Sequence, residues 1–442
     1  MRVCKFGGTS VGSAQRLREV ADIIQKNQKA IIVLSAMSGT TNALVKVAEF
    51  MKREETYIAT GLIQVLKSKY LFESNELLAD FNCANFLDEW IEDFFNHIIQ
   101  LAKQDYSLEI EKELLVQGEF VTTHIFTTYL DMMGLKVENI SALQFMRTDR
   151  NAEPDQYYIA ENLIEILDQY PDTRFFITQG YVCKNVQGKI DNLGRGGSDY
   201  SATIIGAAID AEDVQIWTDI DGMHNNDPRY VESTQSIEQL SYSEAEELAY
   251  FGAKILHPTC ILPVRQHQIP IFIKNTMAPD AIGTRIGNDQ IEGGAKAVAA
   301  KDGIIAIKIK SARMLMAYGF LRRVFEIFED YKTPIDMVTT SEVAVSMTID
   351  NDQYLNEIVS KLKKLGEVTV TMNQSIICVV GNFHADTKGM IGLVGTGLKN
   401  IPIRMISFGA SNSNITLLID TNNKSEALNY LSESLFKTAV YV

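Results

Sequence analysis

The chain carries no cysteine pattern of the kind that staples a small domain or holds zinc. Its five cysteines, Cys4, Cys83, Cys183, Cys260 and Cys378, are scattered, odd in number and without a CxxC pair. That excludes a disulfide framework and a thiolate metal site, and predicts free thiols in a reducing cytoplasm. Long hydrophobic runs are also missing. Apolar runs such as 30–34 fall far short of the roughly 20 residues a membrane helix requires, and residues 1–10 show no apolar signal core. No membrane association is expected. Positive charge is scarce too, with 41 Lys plus Arg against 56 Asp plus Glu and a net charge of -15. A nucleic-acid partner is therefore not expected, and any polyanionic ligand must be held by a few local cations.

What is present describes a soluble globular protein: 46% hydrophobic and 22% charged residues over 442 positions, a length that suggests roughly two to four domains. The stretch Lys5-Phe6-Gly7-Gly8-Thr9-Ser10 follows a short apolar strand and precedes a helical apolar period at Val20, Ile23 and Ile24. Strand, glycine turn and helix together point free N–H groups and a helix dipole at whatever sits above them, and a phosphate satisfies both. Lys5 can reach the same anion. Taken alone, two adjacent glycines fit an ordinary tight turn equally well.

Residues 30–37 read as a second buried strand, followed by a polar turn at 38–42. From 43 to 133 the pattern is mainly helical. Within it Glu119 opens an apolar and hydroxylic helix, 120–133, that contains no lysine or arginine. Such a carboxylate is either solvated or awaits a cationic ligand. Strand, helix and strand signals then alternate at 136–141, 159–169 and 174–182, which predicts an open α/β sheet with helices on both faces. A second glycine turn, Gly194-Arg195-Gly196-Gly197-Ser198-Asp199, leads into another helix. Arg195 suits a bidentate carboxylate or phosphate contact, whereas Asp199 has an alternative role as a partner of the helix dipole. Residues 214–219 form a further strand, 222–229 a loop and 241–253 an amphipathic helix, after which Lys254 is placed as a dipole partner or a ligand contact. The aperiodic, glycine-rich stretch 280–294 marks a domain boundary.

Beyond it short β and α units recur. Pro334-Ile335-Asp336-Met337-Val338 matches Pro402-Ile403-Arg404-Met405-Ile406, an internal repeat that implies two copies of one small βαββαβ fold.

The Lys5 turn, the Gly194–Asp199 turn, Trp217-Thr218-Asp219 and Phe251-Gly252-Ala253-Lys254-Ile255-Leu256-His257-Pro258, in that order and followed by a tandem repeat, resemble the aspartate kinase family over essentially the whole chain. The resemblance implies an α/β amino acid kinase fold over 1–290, an open and mainly parallel sheet, followed by two ferredoxin-like ACT domains over 300–373 and 374–442. It implies ATP-dependent phosphorylation of L-aspartate to 4-phospho-L-aspartate, the first step toward lysine, threonine and methionine, with Mg2+ carried by the nucleotide. A side-chain carboxylate is already ionised at neutral pH, so this reaction needs positioning and charge neutralisation rather than a general base.

By resemblance Lys5 and Asp199 are catalytic, while Thr41, Glu119, Arg195 and Ser198 hold aspartate. Lys5, Gly7, Gly8, Ser10, Ser35, Thr218, Asp219, His224, Arg229 and Lys254 hold the nucleotide, with His224 standing where the family commonly carries a tyrosine. Met314, Ala317, Phe320, Leu321, Asp336, Ser341 and Glu342 align with the effector pattern of lysine-inhibited members, and a lysine ammonium needs a carboxylate such as Asp336 or Glu342. The second repeat has Arg404 in place of Asp336, which suits a structural role in a homodimer or dimer of dimers. No metal ligand set is assigned to the protein itself. The competing readings are another amino acid kinase, acting on acetylglutamate, glutamate, carbamate or UMP, and a non-catalytic amino-acid sensor on the same scaffold.

Overall fold

The computed structural model describes residues 1–194, 196–252, 256–288, 293–311, 318–383 and 388–437. The chain divides into two compact units. One comprises Met1–Met223, Glu238–Tyr242 and Leu256–Asn288, and the other His224–Ile237, Ser243–Ile255 and Asp289–Val442. Among the described residues no helix is long and apolar enough to cross a membrane.

The first unit is built on an eight-stranded sheet. Its order is Val137–Asn139, Phe175–Gln179, Ala30–Leu34, Arg2–Phe6, Val214–Thr218, Ile271–Asn275, Thr284–Gly287 and Gln239–Ser241. The first six strands run parallel, and Thr284–Gly287 is antiparallel to Ile271–Asn275. Every residue of Ala30–Leu34 is buried, because helices cover both faces and a parallel central strand reads as a continuous apolar run. The chain moves outward from Arg2–Phe6 on one side and resumes on the other at Val214–Thr218. The topological switch point therefore lies beside Phe6, paired with Leu34 on one side and Trp217 on the other. At such a point the connections leave in opposite directions and open a crevice at the strands' carboxyl ends.

The long helical region resolves into Thr40–Lys52, Thr56–Leu78, Asp88–Ala102, Leu108–Leu115 and Gln117–Met132. The last of these begins before Glu119, which lies in its first turn. The stretch 280–294, expected to be without regular structure, contains the strand Thr284–Gly287, which is too short for periodicity to reveal.

The second unit carries a six-stranded antiparallel sheet ordered Val338–Thr340, Ala344–Ile349, Gly294–Lys310, Glu367–Asn382, Asn414–Asp420 and Met405–Phe408. Two long strands serve both repeats. Residues 304–310 pair with Ala344–Ile349 and with 367–371, and helices Phe320–Asp330 and Leu355–Leu362 complete the first βαββαβ module around Ile307, Val324, Phe328 and Met347. In the second module 374–382, Met405–Phe408 and Asn414–Asp420 are joined by helices Met390–Gly397 and Lys424–Ser432. Its closing strand comes from 294–301, upstream of the first module. The first repeat is thus inserted into the second, and register shifts near Lys301 and Ile304 mark the junction.

Two stretches lying inside 1–290 fold with this second unit. Asn226 Nδ2 donates to the Leu428 carbonyl at 3.0 Å, Lys424 Nζ to the Tyr230 hydroxyl at 2.7 Å, and Val231 enters the core of the second module.

Candidate active site

Lys5 stands at the carboxyl end of the buried strand Arg2–Phe6, and its side chain is only 10% exposed. Its ammonium lies 2.5 Å from Asp199 Oδ1, in the first turn of helix Gly197–Ala208. The two groups share one cavity of about 810 Å³, together with Gly7, Gly8, Ser35, Thr41, Glu119, Ser198, Thr218 and Asp219. Asp199 is therefore more than a dipole partner, since it holds the one ammonium at the head of the glycine turn.

The turn is glycine for steric reasons. A Cβ on Gly8 would lie 2.9 Å from the Ala36 carbonyl, and the Gly8 carbonyl accepts from Ser38 N at 3.1 Å. Two helices open onto the cavity, Thr40–Lys52 and Gly197–Ala208. Each is preceded by a glycine in the left-handed region, Gly39 at φ 84 and Gly196 at φ 73, and neither has a side-chain cap. Helix Ala14–Gln25, by contrast, is capped by Ser13, whose hydroxyl accepts from Arg16 N. Thr40 N and Gly197 N donate to the Met37 and Gly194 carbonyls, and the first turns carry no side-chain cap that would compete with a phosphate or carboxylate oxygen. At Gly196 an added Cβ would also meet His257 Cβ at 2.7 Å. Gly196→Ala is expected to lower stability by about 1–3 kcal/mol, read as a lowered thermal midpoint. An unchanged midpoint would show that the turn tolerates a side chain.

Glu119 is 3% exposed, which excludes a solvated carboxylate. Its approach depends on Gly118, where a Cβ would meet Thr40 Cγ2 at 2.6 Å and Ala36 Cβ at 2.7 Å. Burial pushes its carboxyl up to about 8, against the opposing effect of N–H groups from Glu119 itself and Ala36, and Oε2 has no hydrogen-bond partner among the described residues. A buried anion lacking a cation is costly. The site therefore sets the paired Lys5 ammonium in the same cavity as a buried carboxylate that has no cation among the described residues.

Other expected residues are placed differently. Ser10 does not line the cavity. Its buried hydroxyl shares a hydrogen bond with Thr276 Oγ1 at 2.6 Å and ties the turn to the neighbouring strand end. His224 and Arg229 fall in the second unit. His224 Nδ1 meets Thr234 Oγ1 at 2.8 Å, and the exposed Arg229 makes a double contact with Asp227 in its own loop. Arg195 and Lys254 lie outside the described residues, as do Met314 and Ala317.

In the first regulatory module Phe320 is part of the apolar core rather than a ligand wall, while Leu321 is partly exposed. Ser341 is turned onto the Ala344 carbonyl, and Glu342 is exposed. Asp336 is 2% exposed and already paired, with Lys301 Nζ at 2.9 Å and the Tyr250 hydroxyl at 2.7 Å. Its second oxygen, Oδ2, is buried without a hydrogen-bond partner among the described residues.

Two cavity features escaped sequence reasoning. Tyr181 lines the site at a φ of +70, a strained value for an aromatic residue, and its phenol is pushed up to about 12 by burial and then by the Glu119 charge. Lys69, on a helix that reads only as scaffold, donates to the Ser38 carbonyl at 2.6 Å and so fixes the turn beside Gly8. A contact between a helix side chain and a distant carbonyl leaves no periodic signal.

Comparison with known proteins agrees with this geometry. Residues 1–275 match the amino acid kinase family and 377–435 an ACT domain. The chain is 32% identical over 468 residues to Aspartokinase 2, chloroplastic, of Arabidopsis thaliana, covering 99% of this chain and 84% of that protein. It is 32% identical over 451 residues to Lysine-sensitive aspartokinase 3 of Escherichia coli, covering 98% and 99%. The crystal structure of E. coli aspartokinase III in complex with aspartate and ADP superposes with a TM-score of 0.86 at 31% identity, covering 99% of this chain and 100% of that one. The complex of the same enzyme with lysine and aspartate gives 0.79 at 31% identity, covering 99% of each. With the match at full length and the ammonium–carboxylate pair at the glycine turn, the chain belongs to the aspartokinase family and is an aspartate kinase.

Proposed function

We propose that this cavity transfers the γ-phosphoryl group of ATP to the side-chain carboxylate of L-aspartate, giving 4-phospho-L-aspartate in the cytoplasm, and that L-lysine bound to the first ACT module inhibits the reaction. One juxtaposition carries the catalytic part: the partnerless Glu119 oxygen shares a cavity with the Lys5–Asp199 pair. An amino acid with a free ammonium at one end and a carboxylate at the other suits both groups. N-Acetylglutamate, whose nitrogen carries no charge, leaves Glu119 unpaired.

In this reading Glu119 takes the substrate ammonium, and Thr41, Ser198 and Arg195 orient its carboxylates. Lys5, held by Asp199, lies between the nucleophilic carboxylate and the γ-phosphate, offsetting the repulsion between two anions. The helix N-termini at Gly39 and Gly196 supply fixed N–H dipoles for oxygens whose charge grows during transfer. The carboxylate attacks without losing a proton, so no general base is required. Gly7, Gly8, Ser35, Thr218 and Asp219 line the nucleotide side, and the resemblance adds Lys254. Among the described residues no group of three or more His, Cys, Asp or Glu is arranged to hold a metal alone. Asp199 and Asp219, which line the cavity with Glu119, would face an Mg2+ ion carried by the ATP phosphates, and that ion would supply neutralisation of the phosphate charge.

The lysine reading rests on the buried, partnerless Asp336 Oδ2 and on the lysine complex of the E. coli relative. Exposed apolar residues on the two outermost strands, Val338, Ile406 and Phe408, support a homodimer or dimer of dimers through the ACT modules. The aspartate-dependent rate, titrated separately with lysine and threonine, tests the effector. Lysine is expected to inhibit the wild type and threonine to have no effect. Asp336→Ala should need about 10- to 100-fold more lysine, the loss of one charge-assisted hydrogen bond. Equal inhibition of both proteins by lysine would place the effector elsewhere.

A further inference from the structure

Helix Thr56–Leu78, whose periodicity reads as scaffold, meets three other segments of the cavity-bearing unit within little more than one turn of its length. Lys69 Nζ donates to the Ser38 carbonyl at 2.6 Å, and Glu73 Oε2 accepts from Ala14 N at 2.7 Å. Between these two surface contacts, Tyr70 is 0% exposed. Its hydroxyl lies 3.0 Å from Thr40 Oγ1 and 3.3 Å from Thr122 Oγ1, and both threonines are buried as well. Hydroxyls shut away from water must satisfy one another.

Counting protons orders the three. Thr122 Oγ1 donates to the Gly118 carbonyl at 2.9 Å and accepts from Met37 N at 3.2 Å. Its single proton is thereby used, so Tyr70 is the donor to Thr122, and Thr40 the donor to Tyr70. A directional chain results, from Thr40 through Tyr70 and Thr122 to the Gly118 carbonyl. Each end of it adjoins a residue that lines the cavity, Thr41 beside Thr40 and Glu119 beside Gly118. The ends also touch, since a Cβ on Gly118 would meet Thr40 Cγ2 at 2.6 Å. That contact sets how closely helices Thr40–Lys52 and Gln117–Met132 approach. The hydroxyl chain sets their alignment, because hydrogen bonds weaken steeply with angle whereas apolar contacts do not.

We propose that Tyr70 is a positioning residue for the amino-acid substrate: through Thr40 and Thr122 its hydroxyl holds Thr41 and Glu119 at the separation that grips the substrate's carboxylate and ammonium together. The proposal rests on the reading that Thr41 and Glu119 hold aspartate. Tyr70 is wholly buried and acts through its two threonine partners. A binding pair is only as well placed as the contacts that support it.

The test is Tyr70→Phe in the full chain, which keeps the ring and deletes the hydroxyl, with kcat and both KM values measured beside the wild type and Glu119→Gln. KM for aspartate should rise about 10-fold, the cost of losing one buried hydrogen bond and leaving its partners unpaired, while kcat and KM for ATP stay within about twofold. The fall of KM for aspartate between pH 6 and 7.5 should keep its wild-type slope, because Glu119 still carries the titrating proton. A merely destabilised chain loses active fraction and therefore kcat, without a selective shift in one KM. Thr40→Val removes the same bond from its other end and should give the same selective rise, so it carries the test if Tyr70→Phe does not fold. The double variant should exceed the worse single one by less than about twofold. An unchanged KM for aspartate in Tyr70→Phe, where Glu119→Gln raises it, overturns the positioning role and leaves the substrate reading standing. An equal rise in both KM values also overturns it, because the hydroxyl would then support the cavity as a whole. If Glu119→Gln leaves KM for aspartate unchanged, the substrate reading fails and the role of Tyr70 fails with it.

Discussion

Lys5→Met should lower kcat by about 1,000-fold, at the upper end of what removing one electrostatic contact costs and within the range of arginine fingers. The lysine is nearly buried and pairs with Asp199 at 2.5 Å, so its deletion leaves a carboxylate facing two incoming anions. Substrate binding keeps its other contacts, and KM for aspartate should change less than fivefold, the mark of an interaction made chiefly in the transition state. Lys5→Arg should recover little of the rate. The ammonium is held as a compact point charge against Asp199, which a planar guanidinium does not reproduce. A loss below tenfold in Lys5→Met would remove Lys5 from the reaction.

Glu119→Gln should raise KM for aspartate about 100-fold while making the free enzyme more stable in alkaline solution, an opposition expected where a binding group is strained in the absence of ligand. The native carboxyl titrates at about 8 against an ordinary 4.5. Between these values the native state keeps a proton that the unfolded chain has lost. Stability contributed at this position therefore falls as pH rises from 4.5 to 8 and stays low above 8. Glutamine does not titrate, so the midpoint advantage of the variant should be small near pH 5 and largest at pH 8 and above. The substrate ammonium requires the ionised carboxylate. Below pH 8 binding must expel a proton, so wild-type KM for aspartate should fall by about tenfold per pH unit between 6 and 7.5. A KM in Glu119→Gln equal to the wild-type value would show that the ammonium binds elsewhere.

Much of this site was legible from sequence because its parts are local. Strand, paired glycines and helix around Lys5, and glycines, Ser198 and Asp199 before a helix, are decided by backbone geometry within ten residues. Convergence of Lys5 on Asp199 follows from parallel strands sharing their carboxyl ends. Glu119 was half legible. The lack of nearby lysine or arginine showed in the sequence, but the choice between solvation and burial depended on Gly118 approaching Thr40 and Ala36.

What stayed hidden depends on contacts remote in sequence. Ser10 was assigned to the nucleotide by its place in a motif, yet its hydroxyl is used by Thr276. Phe320 follows a helix-opening glycine as a ligand residue would, but helix periodicity turns it into the module core. The repeat at 334–338 and 402–406 was visible, whereas the closing strand of the second module, at 294–301, precedes the first and matches no repeat boundary. Residues 224–237 carry no composition shift, and only Asn226, Tyr230 and Lys424 show with which unit they fold.

The catalytic claim is tested most directly by trapping the acyl phosphate. Purified protein incubated with ATP, Mg2+, L-aspartate and hydroxylamine, without lysine, should form aspartyl hydroxamate in step with ADP. N-Acetylglutamate in place of aspartate should give none, and the Lys5→Met protein should form hydroxamate about 1,000-fold more slowly. Absence of hydroxamate from folded wild-type protein that still binds aspartate would mean that the cavity senses the amino acid without phosphorylating it.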